Sequence, residues 1–242
     1  MIDILDLHTH TLASGHAYST ITEMAKAASK QGVKILGITE HAPTIPGTCQ
    51  LFYFQNLSVI PRKRYGVELL FGSELNILDF KGSVDLPESV LKKLDLCIAS
   101  IHPPCFPKEH TKEQNTNAVL KAIENPYVTI LGHPDDGRFE LDYEKIVRAA
   151  KENHVLIEVN NSSLSPNTFR KNVRENMLHY LNLCKIEQVD IIINSDAHID
   201  TDVGNHKRAI ELLKEIQFPE ELVINRSTEI WKEFLTNKMQ KR

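Results

Sequence analysis

Short apolar runs alternate with amphipathic stretches along the chain, a pattern typical of repeated βα units. The apolar runs predict buried strands at residues 4–7, 33–39, 68–77, 94–100, 128–133, 155–160 and 189–196. The amphipathic stretches predict helices at residues 23–31, 112–124, 142–153, 168–184 and 205–216. A last short strand at 221–224 and a helix after Ser227 are expected to follow. Strands that alternate with helices in this way predict a parallel sheet.

The number of these units favours a closed barrel, formed by a single α/β domain over residues 1–242. Barrel domains use about 250 residues, and the chain has 242. An open, doubly wound sheet is the alternative, but no G-x-G-x-x-G loop follows the first predicted strand. Residues 42–66 are polar and aromatic and contain three prolines, which predicts a loop or lid with little regular structure.

Composition and charge limit the kinds of function and partner that the protein can have. Hydrophobic residues make up 41% and charged residues 25%, which is typical of a folded protein and excludes a disordered chain. The net charge of −4 argues against nucleic acid as a main partner, because duplex binders are usually basic. No apolar run reaches the roughly 18 residues that cross a bilayer, and the N-terminus lacks signal-peptide features. Four cysteines without a C-x-x-C pair predict a reduced, cytoplasmic protein with no membrane partner.

Seven of the eleven histidines lie at or just after the ends of predicted strands. They are joined there by two acidic residues, and the nine candidate metal ligands are His8, His10, His16, His41, Glu74, His102, His133, Asp196 and His198. The carboxyl ends of barrel strands converge on one face, so these side chains are expected to meet. A tetrahedral ion takes about four ligands, so nine groups predict two or three ions. Imidazole and carboxylate suit zinc, iron or manganese.

Each of these residues has an ordinary structural alternative, and a single histidine is more often a partly buried side chain than a ligand. The pairs His8–His10 and Asp196–His198 are stronger, because alternate residues of an extended segment share a face. The remaining histidines, His110, His154, His179 and His206, lack this placement.

Two further residues are candidates for binding substrate. Asn160 lies at a predicted strand end, and His110 lies in the loop after His102. The other polar residues near the rim are interpreted more simply as solvated loop residues: Asn76, Lys108, Lys112, Arg138, Asn161 and Ser162.

The ordered motifs resemble those of the PHP (polymerase and histidinol phosphatase) family. They are Leu7-His8-Thr9-His10, Thr39-Glu40-His41, Glu74, Ser100-Ile101-His102, Gly132-His133-Pro134 and Ser195-Asp196-Ala197-His198. The resemblance covers about residues 3–235 and looks closest to the YcdX-type phosphatase subgroup. Glu40 departs from the family pattern, since many members carry Asp beside that histidine, but the residue is not itself a ligand.

This resemblance implies a distorted (β/α)7 TIM-like barrel with a trinuclear metal site. His8, His10, Glu74 and Asp196 would hold the first ion. Glu74 would bridge to a second ion completed by His102 and His133, and a third would be held by His16, His41 and His198. Three divalent ions per chain are expected, Zn²⁺ first, with Mn²⁺ or iron as alternatives.

The expected function is therefore that of a metal-dependent phosphoesterase. A metal-activated hydroxide would hydrolyse phosphate monoesters of small molecules, with Glu74, Asp196 and His198 as the catalytic residues. Open alternatives are a PHP-type phosphodiesterase or exonuclease, a histidinol phosphatase, and a non-catalytic metal-binding module. An amidohydrolase-type metal enzyme also begins with H-x-H, but the metal-bridging lysine common in that group has no counterpart here, where Glu74 or His102 stands. No sequence feature indicates an oligomeric state.

Overall fold

The computed structural model describes residues 1–240, and eight strands form one sheet in it. The strands are β1 (Leu5–Asp6), β2 (Ile35–His41), β3 (Lys63–Arg64), β4 (Val67–Asn76), β5 (Cys97–Ser100), β6 (Ile130–Leu131), β7 (Leu156–Asn160) and β8 (Ile191–Asn194). Seven of them pair in parallel in the order β1-β2-β4-β5-β6-β7-β8, and β3 pairs antiparallel with β4. The predicted single α/β domain with a distorted TIM-like barrel is confirmed. Residues 241 and 242 of the predicted domain lie outside the described residues.

Helices cover the outside of the barrel. They are α1 (Ile21–Gln31), α2 (Leu51–Gln55), α3 (Glu88–Leu91), α4 (Lys112–Ile123), α5 (Tyr143–Asn153), α6 (Val173–Glu187), α7 (Lys207–Glu215) and α8 (Thr228–Met239). The start of α1 is fixed by a capping box, in which Thr20 and Glu23 each satisfy a backbone N–H of the other, and Gly32 ends the helix in the left-handed conformation. Within residues 1–240, every helix is too short or too polar to cross a membrane.

Two hydrophobic layers hold the barrel together. The larger lies between the strands and the surrounding helices. The smaller lies inside the barrel, where residues at strand starts such as Ile35 and Leu156 pack against Trp231 and Phe234 of α8. Because α8 closes the amino ends of the strands, the polar ends of the strands are left open at the opposite rim.

Segment 42–66, predicted as a loop or lid with little regular structure, is more ordered than expected. It contains α2, a 3₁₀ turn at Leu57–Val59 and β3. Phe54 and Leu57 are buried in the core. These two anchors are spaced too irregularly, among polar residues and prolines, to form a recognisable periodic pattern.

Two other element predictions are wrong. The strand expected at 221–224 is replaced by 3₁₀ turns at Glu220–Leu222 and Ile224–Arg226, with only an isolated bridge from Val223 to Ile191. The helix expected from residue 168 begins at Val173, because Asn172 just before it adopts a left-handed conformation with φ of 53°. Residues 168–172 are therefore free to face the rim as a loop.

Side chains complete the seam where β8 meets β1. The buried Asn225 accepts the Ile193 N–H at 2.8 Å and donates to the carbonyl oxygens of Leu5 and Ile193 at 2.9 and 2.8 Å. Higher up the seam, Asn194 Oδ1 accepts the Leu7 N–H at 2.9 Å. The amide side chains of Asn225 and Asn194 thus supply hydrogen bonds where β8 and β1 close the barrel.

Replacing Asn225 with alanine is expected to lower the free energy of unfolding by about 3 kcal/mol, because each buried backbone group left unpaired costs about 1–3 kcal/mol. In thermal unfolding the melting temperature should fall by about 6–12 °C. The matched control is Asn167→Ala at an exposed loop position. Equal stabilities of the two variants would contradict the role assigned to Asn225.

Candidate metal centre

The nine predicted ligands lie together at the carboxyl ends of the strands. His8 and His10 are fully buried beneath the rim. The other seven line one cavity of about 630 Å³: His16, His41, Glu74, His102, His133, Asp196 and His198. The convergence expected from barrel topology is therefore present in the structure.

Glu74, at the end of β4, occupies the centre of this cluster. Its Oε2 lies 2.8 Å from His41 Nδ1 and 3.3 Å from His8 Nε2. Its Oε1 lies 2.8 Å from His133 Nε2 and 3.2 Å from His102 Nε2. The two oxygens of one carboxylate thus face two different sets of imidazoles, which is the arrangement that a bridging ligand requires.

The ligand atoms fit divalent cations. Among the described residues, His8 Nε2, His10 Nε2, His41 Nδ1 and Glu74 Oε2 are buried and make no hydrogen bond, since the 2.8 Å contact between the last two lacks hydrogen-bond geometry. Buried polar atoms are normally paired, because leaving them unpaired is costly. The three imidazole nitrogens lie 2.8–3.5 Å from Glu74 Oε2, and this cluster would be satisfied by cations that accept the lone pairs of its atoms.

Three groups of side chains have ligand atoms within 4.8 Å of one another. They are His8–His10–Glu74, His41–Glu74–His102 and His10–His41–His198. The first matches the ligand set implied for one ion, apart from Asp196, whose Oδ1 lies 3.3 Å from His10 Nε2. The other two groups differ from the implied sets. His41 takes the place of His133 beside Glu74 and His102, and His10 takes the place of His16 beside His41 and His198. His16 stacks on His41 at a ring-centroid distance of 4.8 Å.

Buried partners orient the imidazoles from behind. His8 Nδ1 lies 2.7 Å from Glu158 Oε1, whose other oxygen accepts the His133 N–H at 2.7 Å. His102 Nδ1 lies 2.7 Å from Asn76 Oδ1. When Nδ1–H donates to such an acceptor, Nε2 keeps its lone pair for a metal. Glu158 and Asn76 are not predicted in this role from the sequence, where the available signal is a polar residue on an otherwise apolar strand.

A second support links two of the ligands through Ser14. The Ser14 hydroxyl donates to Glu40 Oε2 at 2.5 Å, accepts the His41 N–H at 3.1 Å and lies 3.2 Å from His10 Nδ1. Glu40 also accepts the Thr11 N–H at 3.0 Å. Glu40, the residue that departs from the family pattern, is therefore buried behind the site and orients the ligands.

Burial and mutual charge shift the protonation of the cluster. Burial opposes ionisation of Glu74, but His102, His8 and His41 outweigh it and hold the pKa of Glu74 well below its usual value. Burial, with the neighbouring His41 and His198, lowers the pKa of His10. Burial also lowers the pKa of His102, to about 4. An anionic Glu74 beside neutral His10 and His102 provides the protonation states that bind metal ions. At His8 burial is outweighed by Glu158, Glu74 and Asp196, which raise the pKa of this imidazole well above its usual value.

Asp196 is held by two donors. Asn160 Nδ2 donates to Asp196 Oδ2 at 3.1 Å, and Arg170 donates to the same oxygen at 3.3 Å. Arg170 also donates to Ser163 Oγ at 2.9 Å and lines the cavity. Arg170 is not among the predicted site residues, because the helix was predicted to start before it.

The two residues predicted to bind substrate lie in different surroundings, one beside a candidate metal ligand and one among aromatic rings. Asn160 is buried beside Asp196 and contacts it directly. His110 packs against Phe106 and Phe139, with ring centroids 5.9 and 5.1 Å away, and is not among the side chains that line the cavity. A substrate role for either residue stays a prediction.

The fold and the site together define an α/β barrel with a histidine and carboxylate metal-ligand cluster at its carboxyl rim. The PHP domain profile matches residues 6–168 of this chain. A probable phosphatase of Clostridium novyi (strain NT) is 47% identical over 222 residues, which cover 92% of this chain and 90% of that protein. A probable phosphatase of Thermoanaerobacter sp. (strain X514) is 46% identical over 98% of this chain and 96% of that protein. The chain belongs to the PHP family.

Two solved structures share the fold. The histidinol phosphate phosphatase of Lactococcus lactis, in complex with zinc, L-histidinol and phosphate, superposes with a TM-score of 0.64 at 20% identity, covering 90% of this chain and 95% of that one. An archaeal ribonuclease P with mature tRNA gives a TM-score of 0.59 at 15% identity over 97% of this chain and 90% of that one. At these identities the likeness establishes the barrel and leaves the substrate to be argued from the site.

Proposed function

We propose that this protein is a metal-dependent phosphatase that hydrolyses phosphate monoesters of small molecules. The observation that carries the proposal is the set of buried, unpartnered ligand atoms on His8, His10, His41 and Glu74, directly beneath an open cavity. The names of the relatives as probable phosphatases support the same class of reaction.

The proposal includes three divalent ions held by the nine ligands, Zn²⁺ first, with Mn²⁺ or iron as alternatives. Such ions would supply positive charge for the phosphoryl oxygens and acidify an attacking water. Glu74 and Asp196 would hold the ions, with His198 as the third catalytic residue at the cavity wall. Arg170 adds a cation beside Asp196, where it would bind a phosphoryl oxygen.

The cavity suits a small molecule. Its volume of about 630 Å³ lies in the usual range for small-ligand sites. Nucleic acid is disfavoured by the acidic balance of the chain. The four free thiols favour a reducing, cytoplasmic location.

We also propose that the PHP domain extends over the whole chain, residues 1–242. The matched region ends at residue 168. However, β8 pairs with β7, and Asp196 and His198 follow β8. The barrel and its ligand cluster therefore need the residues beyond the matched region.

Protein purified without chelator should carry more than one divalent ion per chain and release phosphate from p-nitrophenyl phosphate. A chelator should abolish this activity, because a side-chain nucleophile is not part of the mechanism, and added Zn²⁺ or Mn²⁺ should restore it. Elemental analysis and phosphate release measure the two outcomes. Activity that survives complete removal of metal would overturn the proposal, and at most one ion per chain at full occupancy would overturn its trinuclear form.

A further inference from the structure

One wall of the cavity carries an exposed aromatic ring. Phe169 lines the cavity with 70% of its surface exposed. It lies in the loop just before α6, next to Arg170. Single exposed apolar side chains are ordinary on a protein surface, but among the exposed large apolar residues of the described chain Phe169 is the one that lines the cavity.

Two guanidinium groups flank this ring. The Arg138 guanidinium lies 4.9 Å from the ring centroid and the Arg170 guanidinium lies 5.5 Å from it. Both are fixed from elsewhere: Arg138 donates through Nε to Asp136 at 2.9 Å, and Arg170 donates to Ser163 at 2.9 Å. The aromatic surface is therefore preorganised.

The ring is also close to the metal ligands. Of the two guanidinium groups beside Phe169, that of Arg170 also donates to Asp196 Oδ2 at 3.3 Å. A single side chain thus separates the ligand cluster from the aromatic surface. A substrate with its phosphate at the cluster would extend its alcohol portion across Arg170 to Phe169.

We propose that Phe169, with Arg138 and Arg170, forms a stacking subsite for a planar ring on the leaving alcohol. This inference rests on the proposed phosphatase function and adds a substrate class to it: phosphate monoesters whose alcohol carries a heteroaromatic ring. Both an aromatic face and a guanidinium plane stack on such rings, whichever ring system is present. Sugar and polyol phosphates lack a ring of this kind and would leave the subsite unused.

The test compares kcat/KM for adenosine 5′-monophosphate and histidinol phosphate with that for glycerol 2-phosphate. The first two carry large and small heteroaromatic rings, and the third carries none. In Phe169→Ala, the ratio of kcat/KM for AMP to kcat/KM for glycerol 2-phosphate should fall by about 10-fold, since stacking on one base is worth about 1–3 kcal/mol. The fall should come chiefly from a higher KM for AMP. Phe169→Leu should behave like the alanine variant, and Phe169→Trp should keep the ratio.

Phe52→Ala is the matched control, because Phe52 is 72% exposed and is not among the side chains that line the cavity. A fall for AMP but not for histidinol phosphate assigns the subsite to a purine-sized ring, and the reverse assigns it to a small ring. An unchanged ratio in Phe169→Ala, or an equal loss on all three esters, would overturn the inference.

Calorimetric binding of AMP separates this inference from the proposed function. If wild-type protein hydrolyses no ester, the proposed function fails, yet AMP should still bind about 10-fold more weakly to Phe169→Ala than to wild type. Equal affinities would overturn the stacking subsite. Metal content is measured on each variant, and it should match wild type because Phe169 is not one of the nine candidate ligands.

Discussion

Replacing Glu74 with glutamine should lower phosphatase activity by about 100-fold or more and reduce the metal content of the purified protein. Glutamine keeps the shape of the side chain but removes the negative charge that faces His8 and His41 from one oxygen and His102 and His133 from the other. Loss of preorganised charge at a reacting centre typically costs 10²–10³ in rate. Phosphate release from p-nitrophenyl phosphate and elemental analysis of the same sample measure both effects.

The matched control is Glu233→Gln, the same chemical change at an exposed position of α8, which packs at the opposite end of the barrel. It should leave activity and metal content near those of wild type. Circular dichroism checks that both variants fold. If Glu74→Gln keeps near wild-type activity and full metal content, Glu74 does not bridge and the centre of the proposed site is wrong.

The ligand cluster could be predicted because a barrel brings residues that are far apart in the sequence close together at one rim. His8, Glu74 and Asp196 are far apart in the chain, but each follows or ends a strand, and parallel strands end on one face. The apolar runs locate these strands without any knowledge of packing. That is why the seven parallel strands could be predicted from the sequence, and why the nine candidate ligands were expected at the rim where they lie. β3 was not predicted, because it lies within residues 42–66.

The supporting residues could not be predicted in the same way. Glu158 is buried beneath His8, and its role depends on which neighbouring strand it faces. Arg170 reaches Asp196 only because the chain adopts a left-handed conformation at Asn172 and delays α6. Such roles are set by backbone geometry and by contacts between distant segments, which periodicity does not encode.

The burial of His206 could not be predicted from the sequence either. No strand ends directly before this residue, yet the structure buries it. Its Nδ1 lies 2.7 Å from Asp3 Oδ2, and its Nε2 lies 3.5 Å from Asp6 Oδ1. Burial opposes the charged imidazolium, but the hydrogen bond to Asp3 and the nearby negative charges of Asp6 and Asp3 prevail and raise the pKa of His206 to about 10. Asp6 also accepts the N–H groups of Ser195 and Gly204, so this ion pair ties β1 to the loops that follow β8.

His206→Leu should therefore lower the free energy of unfolding at pH 6 by about 3–5 kcal/mol, because it leaves the buried Asp6 carboxylate without the cation beside it. A raised folded-state pKa stabilises the protein fully below the unfolded value of about 6.5, and this contribution is lost as the pH rises toward 10. The stability difference between wild type and variant, measured by urea unfolding at matched metal content, should thus shrink from pH 6 to pH 10. His179→Gln, at an exposed position of α6, should show neither effect. A difference that stays constant or grows over this range would mean that His206 is neutral in the folded protein and that its contacts with Asp3 and Asp6 are hydrogen bonds alone.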